Sequence, residues 1–159
     1  MIQQKVDASD TFNHSWAEYK VGFNDSNGNY WLGNDLLSQL TMTQRSYTLM
    51  IELQYSRYVG LGMYQYSSFV VLPESSNYRL EVSGYSGTSR DDGLSPHTGM
   101  MFTTFDRDND QWSSGNCAAY YGGGFWYSGC GSAFSSGNSD NFLWATYTLA
   151  SIRMFLRCP

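Results

Sequence analysis

Read for the spacing of apolar and polar positions, the chain opens with two short helical pieces. In WAEYKVGF, residues 16–23, Trp16, Tyr19 and Phe23 recur at helical spacing, and core packing is the role this predicts. A turn cluster follows over Phe23–Asn29. Trp31 to Asn34 then opens a second short helix, with Asn34 as its N-cap before DLLSQL and a close between Thr41 and Ser46. From Tyr47 to Tyr55 the pattern changes to alternation rich in β-formers, which predicts a strand. Further strands are predicted over Tyr58–Val71, ended by Pro73, over Tyr78–Tyr85 and over Gly99–Phe105. Phe142–Tyr147 and Ile152–Arg157 read as closing strands. Consecutive strands joined by short turns predict an antiparallel meander, and Ser86–Thr98 reads as a loop.

Length and composition narrow the class. With 159 residues, 42% hydrophobic and 14% charged, the chain is predicted to fold as one domain, 1–159, with a sizeable core. A net charge of −5 with no basic stripe argues against nucleic acid as partner. No apolar run reaches the roughly 18 residues of a membrane span, so no membrane insertion is expected. The opening MIQQKVDASD has no apolar signal-peptide core, so either the chain is cytosolic or a leader precedes it. Two triplets, Asn13-His14-Ser15 and Asn24-Asp25-Ser26, would accept glycans in a secretory chain.

Chemistry concentrates in DRDNDQWSSGNCAAYYGGGFWYSGC, residues 106–130. Asp106, Asp108 and Asp110 alternate, and carboxylates held this close repel until a hard cation relieves them, which suits Ca²⁺. The EF-hand comparison fails, because the sixth position is Gln111 instead of Gly and the twelfth is Cys117 instead of Glu. A solvated acidic turn is the plainer reading. Cys117 and Cys130 either close a disulfide, worth about 3 kcal/mol in the chain-entropy model, or are inert thiols. Cys158 is left over. Zinc has no CxxC spacing to use, and a nucleophilic cysteine would need His14 or His97, which nothing in the spacing supports.

The chain resembles the fibrinogen C-terminal domain family, which includes fibrinogen, ficolins, tachylectins and angiopoietins. The resemblance is carried by WAEYKVGF (16–23), NGNYWLGND (27–35), YRLEVSGYSG (78–87), HTGMMFTTFDRDND (97–110) and GNCAAYYGGGFWYSGC (115–130). It implies an α+β fold with a central antiparallel sheet, short helices and a loop-rich Ca²⁺- and ligand-binding region at about 97–145. The subdomain that normally precedes IQQKVDAS is missing. It further implies a secreted domain with no enzymatic activity. On this resemblance Asp108 and Asp110 ligate Ca²⁺ with the carbonyls of Trp112 and Ser114, and Asp106 supports the loop from outside. Cys117–Cys130 is the family's disulfide. The Gly129–Cys130 bond is cis in many family lectins, turning backbone N–H groups toward an acetyl oxygen.

Tyr120, Tyr121, Tyr127, Gly129, Cys130 and Gly131 are the implied ligand residues. The implied function is recognition of acetylated glycans, such as N-acetylglucosamine groups, by a secreted innate-immune lectin that can act as a homo-oligomer. The alternative is a protein- or peptide-binding module of the fibrinogen or angiopoietin kind. Two departures stand out: Gly131 replaces the His that usually follows the second cysteine, and SAFSSGNS replaces the family's Asn-Leu-Asn-Gly segment.

Overall fold

The computed structural model describes residues 1–43, 46–57, 60–88, 92–130, 142–144 and 147–158. Among them, eight strands form one antiparallel sheet: β1 (Gln3–Lys5), β2 (Phe23–Asn24), β3 (Tyr30–Trp31), β4 (Thr48–Tyr55), β5 (Leu61–Val71), β6 (Leu80–Gly87), β7 (Leu143–Trp144) and β8 (Tyr147–Arg157). The helices are α1 (Trp16–Val21), α2 (Asn34–Thr41) and α3 (Cys117–Tyr121). No helix of the described residues is long and apolar enough to cross a membrane.

The predicted meander exists as β4-β5-β6. The last strand, β8, is not at its edge but lies between β1 and β4, giving the order β2-β3-β1-β8-β4-β5-β6. On β4 the buried positions are Leu49, Ile51 and Leu53, facing Tyr66 and Tyr64 across β5 and Met154 and Ile152 across β8. These side chains join the aromatic core that Trp16, Tyr19, Trp31, Phe102 and Trp126 build around the helices. On β5 the buried positions change phase between Tyr66 and Phe69, opposite Gly84. Gly84 has φ +72°, and a Cβ there would lie 1.9 Å from Ser67 Oγ, so only glycine fits this break in the pleat.

Several boundaries differ from the sequence reading, each for a local reason. α1 ends before Phe23, because Gly22, at φ +95°, turns the chain into β2. Its start is a capping box, with Ser15 accepting from Glu18 N–H and the Glu18 carboxylate accepting from Ser15 N–H. The N-cap of α2 is Gly33, not Asn34; Asn34 is buried inside the first turn, where its Oδ1 accepts from Trp31 Nε1 at 3.1 Å. β5 starts at Leu61, and residues 58–59 of the predicted strand lie outside the described residues. β6 starts at Leu80 because Asn77 and Tyr78 both take positive φ (51° and 49°), and it runs on to Gly87.

The predicted strand Gly99–Phe105 is no strand. Gly99 N–H bonds Leu80 O, Phe102 N–H bonds Asn77 O, and Thr103 pairs with Phe125, so successive groups find partners on different segments. Of the closing strands, the first is formed by Leu143–Trp144, residues 145–146 of the predicted span lie outside the described residues, and Tyr147 opens β8. The second is longer than predicted, because a bulge opposite Gln54 and Tyr55 disturbs the alternation before Ile152.

Candidate functional site

The acidic stretch begins where Thr104 and Arg107 exchange backbone hydrogen bonds in a tight turn, 3.0 and 3.1 Å. Each polar residue of the turn has a distinct task. Asp106 faces away from its neighbours: its Oδ1 accepts from Trp16 N–H at 2.9 Å and from Thr104 Oγ1 at 2.7 Å, tying the loop to the first turn of α1. Asn109 locks the inner side, with Nδ2 donating to Phe102 O at 2.8 Å and its N–H to Thr103 Oγ1 at 3.1 Å.

Asp108 and Asp110 remain together. Asp108 Oδ1 accepts from Asp110 N–H at 3.2 Å. Asp110 accepts from Trp112 N–H and Cys117 N–H, both at 2.7 Å, one on each carboxylate oxygen. Burial pushes the Asp110 carboxyl above the usual carboxylate range and the Asp108 charge adds to this, while the two N–H groups oppose it. The chain then turns at Trp112–Gly115, where Gly115 N–H bonds Trp112 O at 3.2 Å. The ligands implied by the resemblance, Asp108, Asp110 and the carbonyls of Trp112 and Ser114, would offer only oxygen, the donor type a hard divalent cation such as Ca²⁺ takes. Asp110 also lies close to both sulfurs, all three ligand atoms falling within 4.8 Å. Those sulfurs are joined to each other, so they offer no thiolate.

α3 follows, and the sequence reading missed it. The signal was present: Asn116 before Cys-Ala-Ala is a good N-cap, and its Oδ1 accepts from Ala119 N–H at 2.9 Å while its Nδ2 reaches Thr104 O at 2.9 Å. One asparagine therefore starts the helix and pins the acidic turn. Gly122, at φ +75°, ends the helix. Cys117 and Cys130 form the expected disulfide, and Cys158 is free and exposed.

Three of the predicted ligand residues come together as a row of rings. Tyr120, 66% exposed, stands edge-on to Trp112 (37% exposed) at 6.0 Å and to Tyr121 at 5.0 Å. Tyr121 stacks on Tyr127 at 6.0 Å and donates its hydroxyl to Cys130 O. Burial raises the Tyr121 phenol above its ordinary value, with Tyr120 adding. Tyr127 stands behind, 2% exposed, with its hydroxyl donating to Gly123 O at 2.7 Å. It is wall rather than surface. Gly129 is exposed and Cys130 half-buried; Gly131 lies outside the described residues.

The Gly129–Cys130 bond is trans, unlike the cis bond of many family lectins. A non-proline cis bond costs about 3–4 kcal/mol and persists only where its surroundings enforce it.

His97, weighed above as a possible partner for a nucleophilic cysteine, packs into the core. It is 1% exposed, Nδ1 lies 2.9 Å from Trp126 O, and its ring meets Phe125 edge-on at 5.2 Å, which braces the strip behind the tyrosines. His14 sits at the surface between Asp10 and Glu18.

These features define a fibrinogen-type globular domain, and residues 1–149 match the family described as "Fibrinogen beta and gamma chains, C-terminal globular domain". The chain belongs to that family. It is 37% identical to the human fibrinogen alpha chain over 193 residues, covering 99% of this chain and 22% of the relative. It is also 37% identical to mouse angiopoietin-related protein 1, covering 99% of this chain and 34% of the relative. The chain thus spans about a fifth to a third of the length of these relatives.

Among solved structures, the fibrinogen-like globe domain of human ANGPTL2 superposes with TM-score 0.84 at 34% identity, covering 98% of this chain and 78% of that one. A lamprey fibrin D-dimer complexed with the peptide ligand Gly-His-Arg-Pro-amide gives 0.80 at 29% identity, covering 99% and 60%.

Proposed function

We propose that this chain is an extracellular protein-binding domain that takes a peptide segment of its partner at the tyrosine row, with Ca²⁺ stiffening the acidic loop beside it. The observation that carries this reading is the exposed pair Trp112 and Tyr120, placed by the same loop and helix that Asp110 and Asn116 hold together. Large rings left in solvent on a rigid support are what a binding face requires. The relatives named are fibrinogen and angiopoietin-related proteins, and the lamprey structure holds a peptide, which supports the protein-binding alternative over the acetylated-glycan reading. The net charge of −5 favours a basic segment through the encounter rate.

Asp108 and Asp110 would hold Ca²⁺, which would supply the positive charge that offsets their repulsion. The chain's own part is to aim Asp108, Asp110 and the carbonyls of Trp112 and Ser114, and to keep Asp106 and Asn109 engaged elsewhere. No enzymatic role is proposed. Cys117 and Cys130 are bonded together, His97 is buried against Trp126 O, and His14 is held by two carboxylates, so no imidazole is placed to activate a thiolate.

Calorimetry with Gly-His-Arg-Pro-amide and with N-acetylglucosamine, each with Ca²⁺ and with chelator, tests the reading. Saturable peptide binding that weakens in chelator and in Tyr120→Ala is expected. Sugar binding with no response to peptide would return the function to the lectin reading.

A further inference from the structure

We propose that Asn24 carries an N-linked glycan whose first sugar rests on the ring of Tyr30. The triplet Asn24-Asp25-Ser26 has the acceptor pattern, and the fold gives it a suitable place. β2 and β3 form a hairpin whose turn is organised by Asp25: its Oδ1 accepts from Asn27 N–H and Asn29 N–H, both at 2.9 Å, and Gly28 takes φ +95°. Asp25 is thereby half-buried, while Asn24 and Ser26 are both exposed. Neither the Asn24 amide nor the Ser26 hydroxyl is engaged in a hydrogen bond among the described residues, so a bulky group here displaces nothing.

The contrast with the other triplet is instructive. Ser15 of Asn13-His14-Ser15 is the N-cap of α1, bonded to Glu18 through its hydroxyl, and His14 stacks on Phe23 at 3.9 Å.

Asn24 also has a surface beside it to receive a sugar. Asn24 and Tyr30 are directly opposed partners of the β2–β3 pair, so they project on one face with Cβ atoms about 4.5–5.5 Å apart. A depression of about 310 Å³ lies there, lined by Asn24, Tyr30, Gln4, Gly28 and Met1. Its floor is fixed by Gln4 Nε2 donating to Gly28 O at 2.7 Å. The half-buried Tyr30 ring offers an apolar face to the C–H face of an N-acetylglucosamine, and Gln4 offers amide hydrogen bonds to its acetamido group.

The chemistry is a glycosyl transfer by the secretory pathway's transferase. Asn24 Nδ2 forms a bond to the anomeric carbon of a polyprenyl-diphosphate-linked oligosaccharide. The bond from that carbon to the diphosphate oxygen breaks, the polyprenyl diphosphate leaves with the electron pair, and Nδ2 gives up one proton.

The inference rests on the extracellular setting proposed above, and the test keeps the two apart. The chain is secreted from a eukaryotic cell line, its glycopeptides are mapped by mass spectrometry, and peptide binding is measured on the same preparation. A glycan at Asn24, lost in Asn24→Gln and in Ser26→Ala, is expected. Trimming it to the first sugar should leave Tm unchanged, complete removal should lower Tm by about 2–4 °C, and Tyr30→Ala should abolish that difference. A secreted, disulfide-bonded chain with bare Asn24, or an unchanged Tm on complete removal, overturns the inference even if the peptide binds. A glycan at Asn24 on a chain that ignores the peptide leaves the inference standing and defeats the binding reading.

Discussion

The sheet and the loop region are held together by different means. In β4, β5 and β8 the backbone satisfies itself strand to strand, and alternation places Leu49, Ile51 and Leu53 in the core. Between Met100 and Cys130 short backbone pairs, Thr103 with Phe125 and Thr104 with Arg107, are supplemented one atom at a time by Asn109, Asp110, Asn116 and the Tyr121 hydroxyl, and Asp106 ties the loop to Trp16 N–H. The sheet is therefore a matter of area removed from water, spread over many residues. The loop region depends on single polar atoms, each with a particular partner. A binding face needs the second kind of construction, because it must hold rings such as Trp112 and Tyr120 in solvent without burying them.

The comparison breaks most visibly at Ile51, which is fully buried and faces Tyr64 and Met154. Ile51→Ala should destabilise by about 2–5 kcal/mol in urea unfolding, equally with Ca²⁺ and with chelator. A cost that depends on Ca²⁺ would mean that sheet and loop do not separate as argued. Asp108→Ala is the converse. With Ca²⁺ at about 100 times its Kd, bound ion contributes about 2.7 kcal/mol, so the substitution should lower Tm in Ca²⁺ and leave it nearly unchanged in chelator. Equal losses in both would remove the cation from the site.

What the sequence made legible follows the same division. Alternation over 47–55 is strong because one face of β4 is buried, and the predicted bounds are off by one residue. The aspartates and cysteines were legible as a cluster, and the paired sulfurs agree with what the resemblance implied. The strand expected at 99–105 failed because periodicity registers apolar residues, while Gly99, Phe102 and Thr103 are placed by three different partners. Asn34 was misplaced for a similar reason. An asparagine before DLLSQL reads as a cap, yet its side-chain oxygen is occupied by Trp31 Nε1–H and the capping position fell to Gly33, at φ +102°. The insertion of β8 beside β1 is a long-range pairing that no local pattern announces.

Asn109 sharpens the contrast at a smaller scale. Its side chain makes one contact that matters to the fold, to Phe102 O at 2.8 Å, beneath a fully buried ring. Asn109→Ala should cost about 1–2 kcal/mol, a large loss for the few atoms removed, because a backbone acceptor loses its partner. Urea unfolding measures it, and a neutral result would show that water serves as well as the side chain.

The smallest effect lies at the start of α1. Hydrogen bonds from the Ser15 hydroxyl and the Ser15 N–H, with His14 adding, hold the Glu18 carboxyl down to about 2 from an ordinary 4.5. A depressed carboxylate stabilises the fold above its unfolded pKa and loses that contribution as pH falls from about 4.5 through about 2. Glu18 is exposed, so screening limits the capping box to under about 1 kcal/mol. The urea midpoints of wild type and Glu18→Gln should therefore differ slightly at pH 7 and converge below pH 2. A gap that persists in acid would trace the effect to the geometry of the cap, with no share from its charge.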